Sequence, residues 1–408
     1  MTNRSVNNKL TNLCVTLLVL SQYLTMILGC YFTDRSGYFT MVMVVVLILF
    51  VVNFFFSPIR MVSRKFILYA ALILLAYMLT VIFCEEETNL TAIDFLVFCL
   101  IPFIFGGILK FNCRTVLRWS MYAVLLAFPV FSEVFAKGNE GLSYDAVSMG
   151  SSYALLPVVG AALVHFMLFR KESTFLDKIV YGLNLIFLTS FIQMSYRGSL
   201  LCVAVIFVAC LWYNITKEGI NRKKLFAMMF FSLTLMFMFI FSDAILNSVL
   251  NFLDANNIRI AFIDKNMYLA SVGDGGLAHG RFEIWGEAWN GFLESPVYGH
   301  GLTTFLYHTG ITFPHNFVLQ FLYDGGLILA LPLFYLIIKG IKNGIKERNT
   351  NKDQMAFIIF AGGIAFTRGL VSAETWRIIL LWLIMGYFSR NMTYTARTTD
   401  VVIENQIN

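Results

Sequence analysis

Apolar runs of about twenty residues recur along this chain, and no other feature restricts its fold as strongly. A hydrocarbon core of about 30 Å takes around 20 helical residues to cross. Within it every backbone donor and acceptor must be satisfied inside the segment, which a helix does alone. About twelve runs can be placed, near 11–33, 37–57, 66–84, 94–110, 117–136, 152–169, 179–195, 199–216, 225–242, 316–338, 355–373 and 376–389. Hydrophobic residues make up 58% of the sequence and charged residues 13%, against roughly 25% charged in a soluble domain. The expected fold class is an all-α integral membrane protein of about twelve transmembrane helices with one long helical loop on the outer face.

Charge then sets the orientation, because Lys and Arg of short loops are retained on the cytoplasmic side. With the N-terminus inside, about 22 of the 30 Lys and Arg fall in cytoplasmic segments, among them Arg60, Arg64, Lys65, Arg114, Arg118, Lys223, Lys339 and Lys346. The segment 85–94 carries Glu85, Glu86, Glu87 and Asp94 with no Lys or Arg, and is expected outside. Both termini are expected in the cytoplasm. This orientation accounts for the net charge of +6, so the basic balance gives no reason to expect nucleic acid as a partner. The seven cysteines lie scattered in or beside apolar spans, without the spacing of a disulfide framework or a zinc site. The first span lacks a small-residue cleavage site and reads as a retained helix.

The plan divides the chain into helices one to nine (1–242), a lid on the outer face (243–315), helices ten to twelve (316–390) and a cytoplasmic tail (391–408). A connection as long as 243–315 calls for structure of its own. Apolar residues at helical spacing in 244–254 and 279–294 predict helices there. In the second, Arg281, Trp285, Trp289 and Phe292 share one face. Four of the five histidines, at 279, 300, 308 and 315, fall in this polar stretch. The first three are not spaced as ligands and the carboxylates are dispersed, so no metal and no cofactor are expected. His165, inside an apolar run, reads as a packed residue.

Several short words occur in a fixed order: Tyr196-Arg197-Gly198 after a span, Arg281-x-x-x-Trp285, Gly299-x-Gly301-x-x-x-Phe305, His315-Asn316-x-x-Leu319-Gln320, and Asp324-Gly325-Gly326. Together, over roughly 195–330, they resemble the O-antigen ligase and polymerase superfamily; the first half of the chain matches in hydropathy alone. The resemblance implies a GT-C-like, multi-spanning lipid-sugar glycosyltransferase of the bacterial inner membrane. Such an enzyme takes a glycan on undecaprenyl pyrophosphate at the periplasmic face and moves it to an acceptor hydroxyl. In the Wzy-type polymerase the acceptor is another lipid-linked repeat unit, and in the WaaL-type ligase it is the lipid A–core. The polymerase is the favoured expectation, because the chain is rich in Phe, Asn and Ile and diverges outside the motifs, as the family's strain-specific polymerases do. A chain-length regulator protein and membrane lipids are the further partners it implies.

By the same resemblance Arg197 and Arg281 hold the pyrophosphate and His315 activates the acceptor. The chemistry agrees. Cleaving a sugar–pyrophosphate bond develops negative charge that guanidinium forks match in a bidentate way, and an imidazole with a reference pKa of about 6.5 suits a general base near neutral pH. Each residue has a plainer alternative. For Arg197 it is an interfacial anchor, for Arg281 a solvated loop residue or a partner of Glu287, and for His315 with Asn316 a helix cap. Arg368 sits inside an apolar span, where a charge faces a partner or a cavity, and reads as a phosphate or sugar contact or as an ion pair with Glu374. Asp324 reads as a sugar-facing group or a partner for Arg368, and Trp285 and Asn316 complete the candidate binding residues. A transporter also accommodates twelve spans, but it calls for related halves and midplane charges, and neither is found.

Overall fold

The computed structural model describes residues 2–32, 37–56, 62–130, 146–194, 197–218 and 281–390. Its main helices are α1 (Thr2–Val19), α2 (Ser21–Tyr31), α3 (Tyr38–Phe56), α4 (Arg64–Phe83), α5 (Ala92–Ile108), α6 (Cys113–Tyr122), α7 (Ala146–Phe169), α8 (Phe175–Met194), α9 (Arg197–Glu218), α10 (Arg281–Glu294), α11 (Phe305–Thr309), α12 (Phe317–Lys346), α13 (Lys352–Val371) and α14 (Ile379–Phe388). The described residues contain no strand, and the all-α expectation holds.

Six of the described helices are long and apolar enough to cross a membrane, or seven if α1 and α2, interrupted at Leu20, count as one. The expected twelve is therefore not reached among the described residues. The run 225–242, residues 131–136 of the run 117–136, the tail 391–408 and most of the lid, 243–280, lie outside them. The run 376–389 is corrected. It holds a 3-10 turn at Thr375–Arg377 and then only ten residues of α14, about 15 Å of helix at 1.5 Å per residue, half the core thickness. All ten residues are buried, so the apolar character of this run reflects burial in protein.

The chain divides into two compact units, one formed by Met1–Leu18, Met43–Asn112 and Arg281–Asn408, the other by Val19–Val42 and Cys113–Gly280. In the first unit α14 packs against α5 at a close crossing. A Cβ on Gly106 would overlap the Leu383 carbonyl, and one on Gly386 the Phe103 carbonyl. Small residues permit this approach, the usual way helices associate where lipid offers no hydrophobic drive. Helix α4 is apolar all round, yet it buries a single stripe, Phe66, Tyr69, Ile73, Tyr77 and Thr80, at steps of three and four. Its other faces leave Leu68, Leu75, Ile82 and Phe83 exposed, the pattern of a helix with one side against protein and the rest against hydrocarbon. Ser63 caps its start, accepting from the Phe66 amide at 3.0 Å.

Helix α12 is broken at Gly326, whose φ of 56° and ψ of −159° lie in a region open to glycine. A break inside a helix strands backbone groups, at a cost of several kcal/mol each in an apolar setting. Here the segment 296–301 takes them up. The Leu327 and Ile328 amides donate to the carbonyls of Pro296 (2.8 Å) and Val297 (3.3 Å), and the His300 and Gly301 amides donate to those of Tyr323 and Asp324, both at 2.9 Å. The approach is so close that a Cβ on Gly299 would lie 2.5 Å from the Asp324 carbonyl carbon. The Gly299-x-Gly301 and Asp324-Gly325-Gly326 words are thus two halves of one joint. The far side of the loop is gripped from α4 and the segment after it: Thr80 Oγ1 accepts from the Leu302 amide at 2.9 Å, the Cys84 thiol donates to the His300 carbonyl at 3.4 Å, and Thr88 Oγ1 donates to the Leu302 carbonyl at 2.8 Å.

In the second unit α7 is flanked by α6, α8 and α9. Arg118 on α6 grips Asp177 on α8 through two bonds of 2.8 and 2.9 Å, with the Tyr122 hydroxyl donating to the same carboxylate at 2.8 Å. His165 is buried, with its Nδ1 2.7 Å from the Tyr181 hydroxyl.

The joint sets a graded expectation. Gly326→Ala adds both strained backbone, about 1–3 kcal/mol, and a collision with the Val297 carbonyl. Gly310→Ala, at φ 73° in open space, adds strain alone. Thermal melting in detergent should show the larger loss for Gly326→Ala; equal losses would contradict the joint.

Candidate active site

The end of the first unit at which α12 begins gathers most of the polar residues singled out from the sequence. Asn316 is the N-cap of α12, its side-chain oxygen accepting from the Val318 amide at 3.0 Å and the Leu319 amide at 3.4 Å. It therefore fills the capping role that the sequence offered to His315 and Asn316 together. His315 adopts a φ of 55°, uncommon for a residue with a side chain and a frequent mark of functional positions. Its ring lies against Phe313, 4.3 Å between centroids.

Arg281 is the first residue of α10. One turn on, Trp285 donates its indole N–H to the Pro314 carbonyl at 3.1 Å, so the Arg-x-x-x-Trp word joins the helix that Arg281 opens to the peptide preceding His315. Arg368 lies in the last turn of α13. Its neighbour Gly369 packs under Phe317, where a Cβ would stand 3.2 Å from the ring, and Phe317 follows His315 by two residues. Arg281, Trp285, His315, Asn316 and Arg368 are thus brought into one unit. Arg197 heads α9 in the other unit.

Two expectations change. Asp324 is 1% exposed and accepts from the Trp376 indole at 2.5 Å, with the Thr303 amide and the Gln320 side chain beside it. Its carboxylate is turned to a tryptophan at the helix break, in place of Arg368. Glu374 is paired with Arg377 at 3.0 Å; the same guanidinium reaches Asp94 and the Asn89 carbonyl, both at 3.1 Å. A guanidinium three residues away takes the carboxylate expected for Arg368, because the 3-10 turn Thr375–Arg377 folds it back. Burial pushes the Glu374 carboxyl above the usual range, and Arg377 acts against that rise.

Two other histidines of this stretch serve the scaffold. His300 stacks on Tyr323 at 4.6 Å, with its Nε2 2.7 Å from the Gly291 carbonyl. His308 faces Glu87 at 3.3 Å, and His279 lies outside the described residues. Sequence reasoning missed Thr80, Thr88, Trp376 and Arg377. Thr80 carried a signal, since it continues the buried stripe of α4 in an otherwise apolar run. Between α4 and α12 lies a cavity of about 430 Å³, lined by Leu75, Leu79, Phe83, Ile328 and Leu329 and closed at its polar end by His300 and Asp324.

Compared with known families, residues 182–334 match the family described as O-antigen ligase. The match supports the O-antigen ligase and polymerase superfamily as the one to which this segment belongs, in agreement with the motifs. It contains Arg197, Arg281, Trp285, His315, Asn316 and Asp324, whereas Arg368, Glu374 and Arg377 lie beyond it. No curated protein matches the chain.

Glu374 gives a pH expectation. A carboxyl whose folded pKa is raised binds more protons folded than unfolded, so stability falls as pH rises from its ordinary value, about 4.5, through the raised one. Melting temperature followed from pH 4 upward should decline over that interval, and Glu374→Gln should flatten the decline; an unchanged profile in the variant would assign the dependence elsewhere.

Proposed function

We propose that this protein is a glycosyltransferase that moves a glycan from a lipid diphosphate to an acceptor hydroxyl, and that it acts as a polymerase on undecaprenyl-pyrophosphate-linked repeat units at the periplasmic face of the bacterial inner membrane. The observation that carries the reading is His315: a histidine with left-handed backbone, at the head of a broken helix, fastened to the helix that starts with Arg281. The family match supports a glycosyltransferase-type enzyme of the O-antigen ligase and polymerase kind, and the apolar cavity beneath the loop suits a hydrocarbon-bearing donor.

In this reading the acceptor hydroxyl attacks the anomeric carbon while His315 takes its proton. The bond to the diphosphate oxygen breaks, and the lipid diphosphate leaves with the electron pair. Arg281 stabilises the charge that develops on it; a guanidinium fork aimed at phosphate oxygens supplies the electrostatic term that is usually largest, and a metal is not required. Ligase activity, with lipid A–core as the acceptor, is the second reading, favoured by the description of the matched family.

Purified protein incubated with lipid-linked repeat units, with and without lipid A–core, tests both. A ladder from repeat units alone is the expected result, and transfer to the core only would make the protein a ligase. His315→Ala should lower transfer by about 10²–10⁴, Arg281→Ala should abolish it, and Arg281→Lys should restore little. Wild-type rates in His315→Ala would remove the proposed base.

A further inference from the structure

We propose that Trp285 is a positioning residue whose indole N–H sets the orientation of His315; this rests on the reading of His315 as the base. The inference begins with the planarity of the peptide group. The Pro314 carbonyl and the His315 amide belong to one plane, so a hydrogen bond that fixes the carbonyl also fixes the plane from which rotation about the His315 N–Cα bond is measured. That rotation is the left-handed φ of 55°, which a residue with a Cβ leaves unless its surroundings hold it. The bond from Trp285 Nε1 to the Pro314 oxygen, at 3.1 Å, holds it from one side. From the other side Asn316 is fixed as the cap of α12 by its bonds to Val318 and Leu319. His315 is the residue between these two clamps, with Phe313 against its ring.

Trp285 is itself steadied by Phe282, whose ring meets it edge-on at 5.6 Å. The spacing of the Arg-x-x-x-Trp word then has a physical reason. Four residues on a helix are one turn, so the tryptophan that fixes the base shares a helix face with Arg281. The donor-side charge and the acceptor-side base are thus referred to a single rigid element, α10. Loss of the N–H frees the Pro314 carbonyl, lets φ at residue 315 relax to the common range and swings the imidazole out of register. Misplacement of a catalytic group lowers turnover more than substrate binding.

The test is Trp285→Phe, which keeps an aromatic ring and removes the N–H donor. The expected result is a fall in kcat of roughly tenfold, the scale of one lost hydrogen bond, with KM for the lipid-linked donor little changed. In a His315→Ala background the same substitution should cost nothing further, because it acts through the missing imidazole. Full kcat in Trp285→Phe, or an equal fractional loss in both backgrounds, would overturn the proposal. If Trp285→Phe does not fold, benzothienylalanine at position 285 keeps the ring outline without the N–H, and the same kcat criterion applies. Wild-type activity in His315→Ala would instead defeat the underlying assignment of the base, whatever Trp285 does.

Discussion

Four backbone hydrogen bonds between residues 296–301 and 323–328 replace those that α12 gives up where it bends at Gly326. Backbone groups at a break in an apolar setting cannot turn to water, so something else in the protein must meet them. The loop that does so is held in turn by Thr80, Cys84 and Thr88. The line of polar contact therefore runs from α4 through the loop to α12. The course of residues 302–316, and with it the head of α12 and His315, depends on this joint.

The glycines of the joint are accordingly a matter of backbone geometry. Gly299, Gly301 and Gly326 all have positive φ, and side chains at Gly299 and Gly326 would enter the facing strand of chain. A Gly-x-Gly word invites a reading as a phosphate cradle, but here the amides of His300 and Gly301 are already committed to the carbonyls of α12. What remains for chemistry lies at the other end of the same segment, where Pro314, His315 and Asn316 turn into α12 beside the start of α10. Asp324 and Trp376, bonded deep at the break, support that arrangement from below.

Periodicity made the helical character legible. The stripe of α4 at 66, 69, 73, 77 and 80 reads directly from spacing, and the Arg281 to Trp285 interval is one helical turn. The shortness of α14 was not legible, because ten residues buried in protein and twenty crossing lipid show the same hydropathy over their common length. Pairings across long separations were hidden as well. Nothing local in residues 374–377 shows that Arg377 reaches Asp94, or that Trp376 takes Asp324 from 52 residues away. His315 stood out by residue type and motif; its left-handed backbone and its tie to Trp285 through Pro314 are tertiary facts.

Amide hydrogen exchange of the protein in detergent tests the joint most directly, because an unbroken α12 and a stapled one protect different amides. In an unbroken helix the Leu327 and Ile328 amides are protected by Tyr323 and Asp324, and those of His300 and Gly301 exchange as loop amides. With the joint described here, all four should be protected, and Gly299→Ala should release them together. Rapid exchange at His300 and Gly301 beside a protected Leu327 and Ile328 would contradict the account.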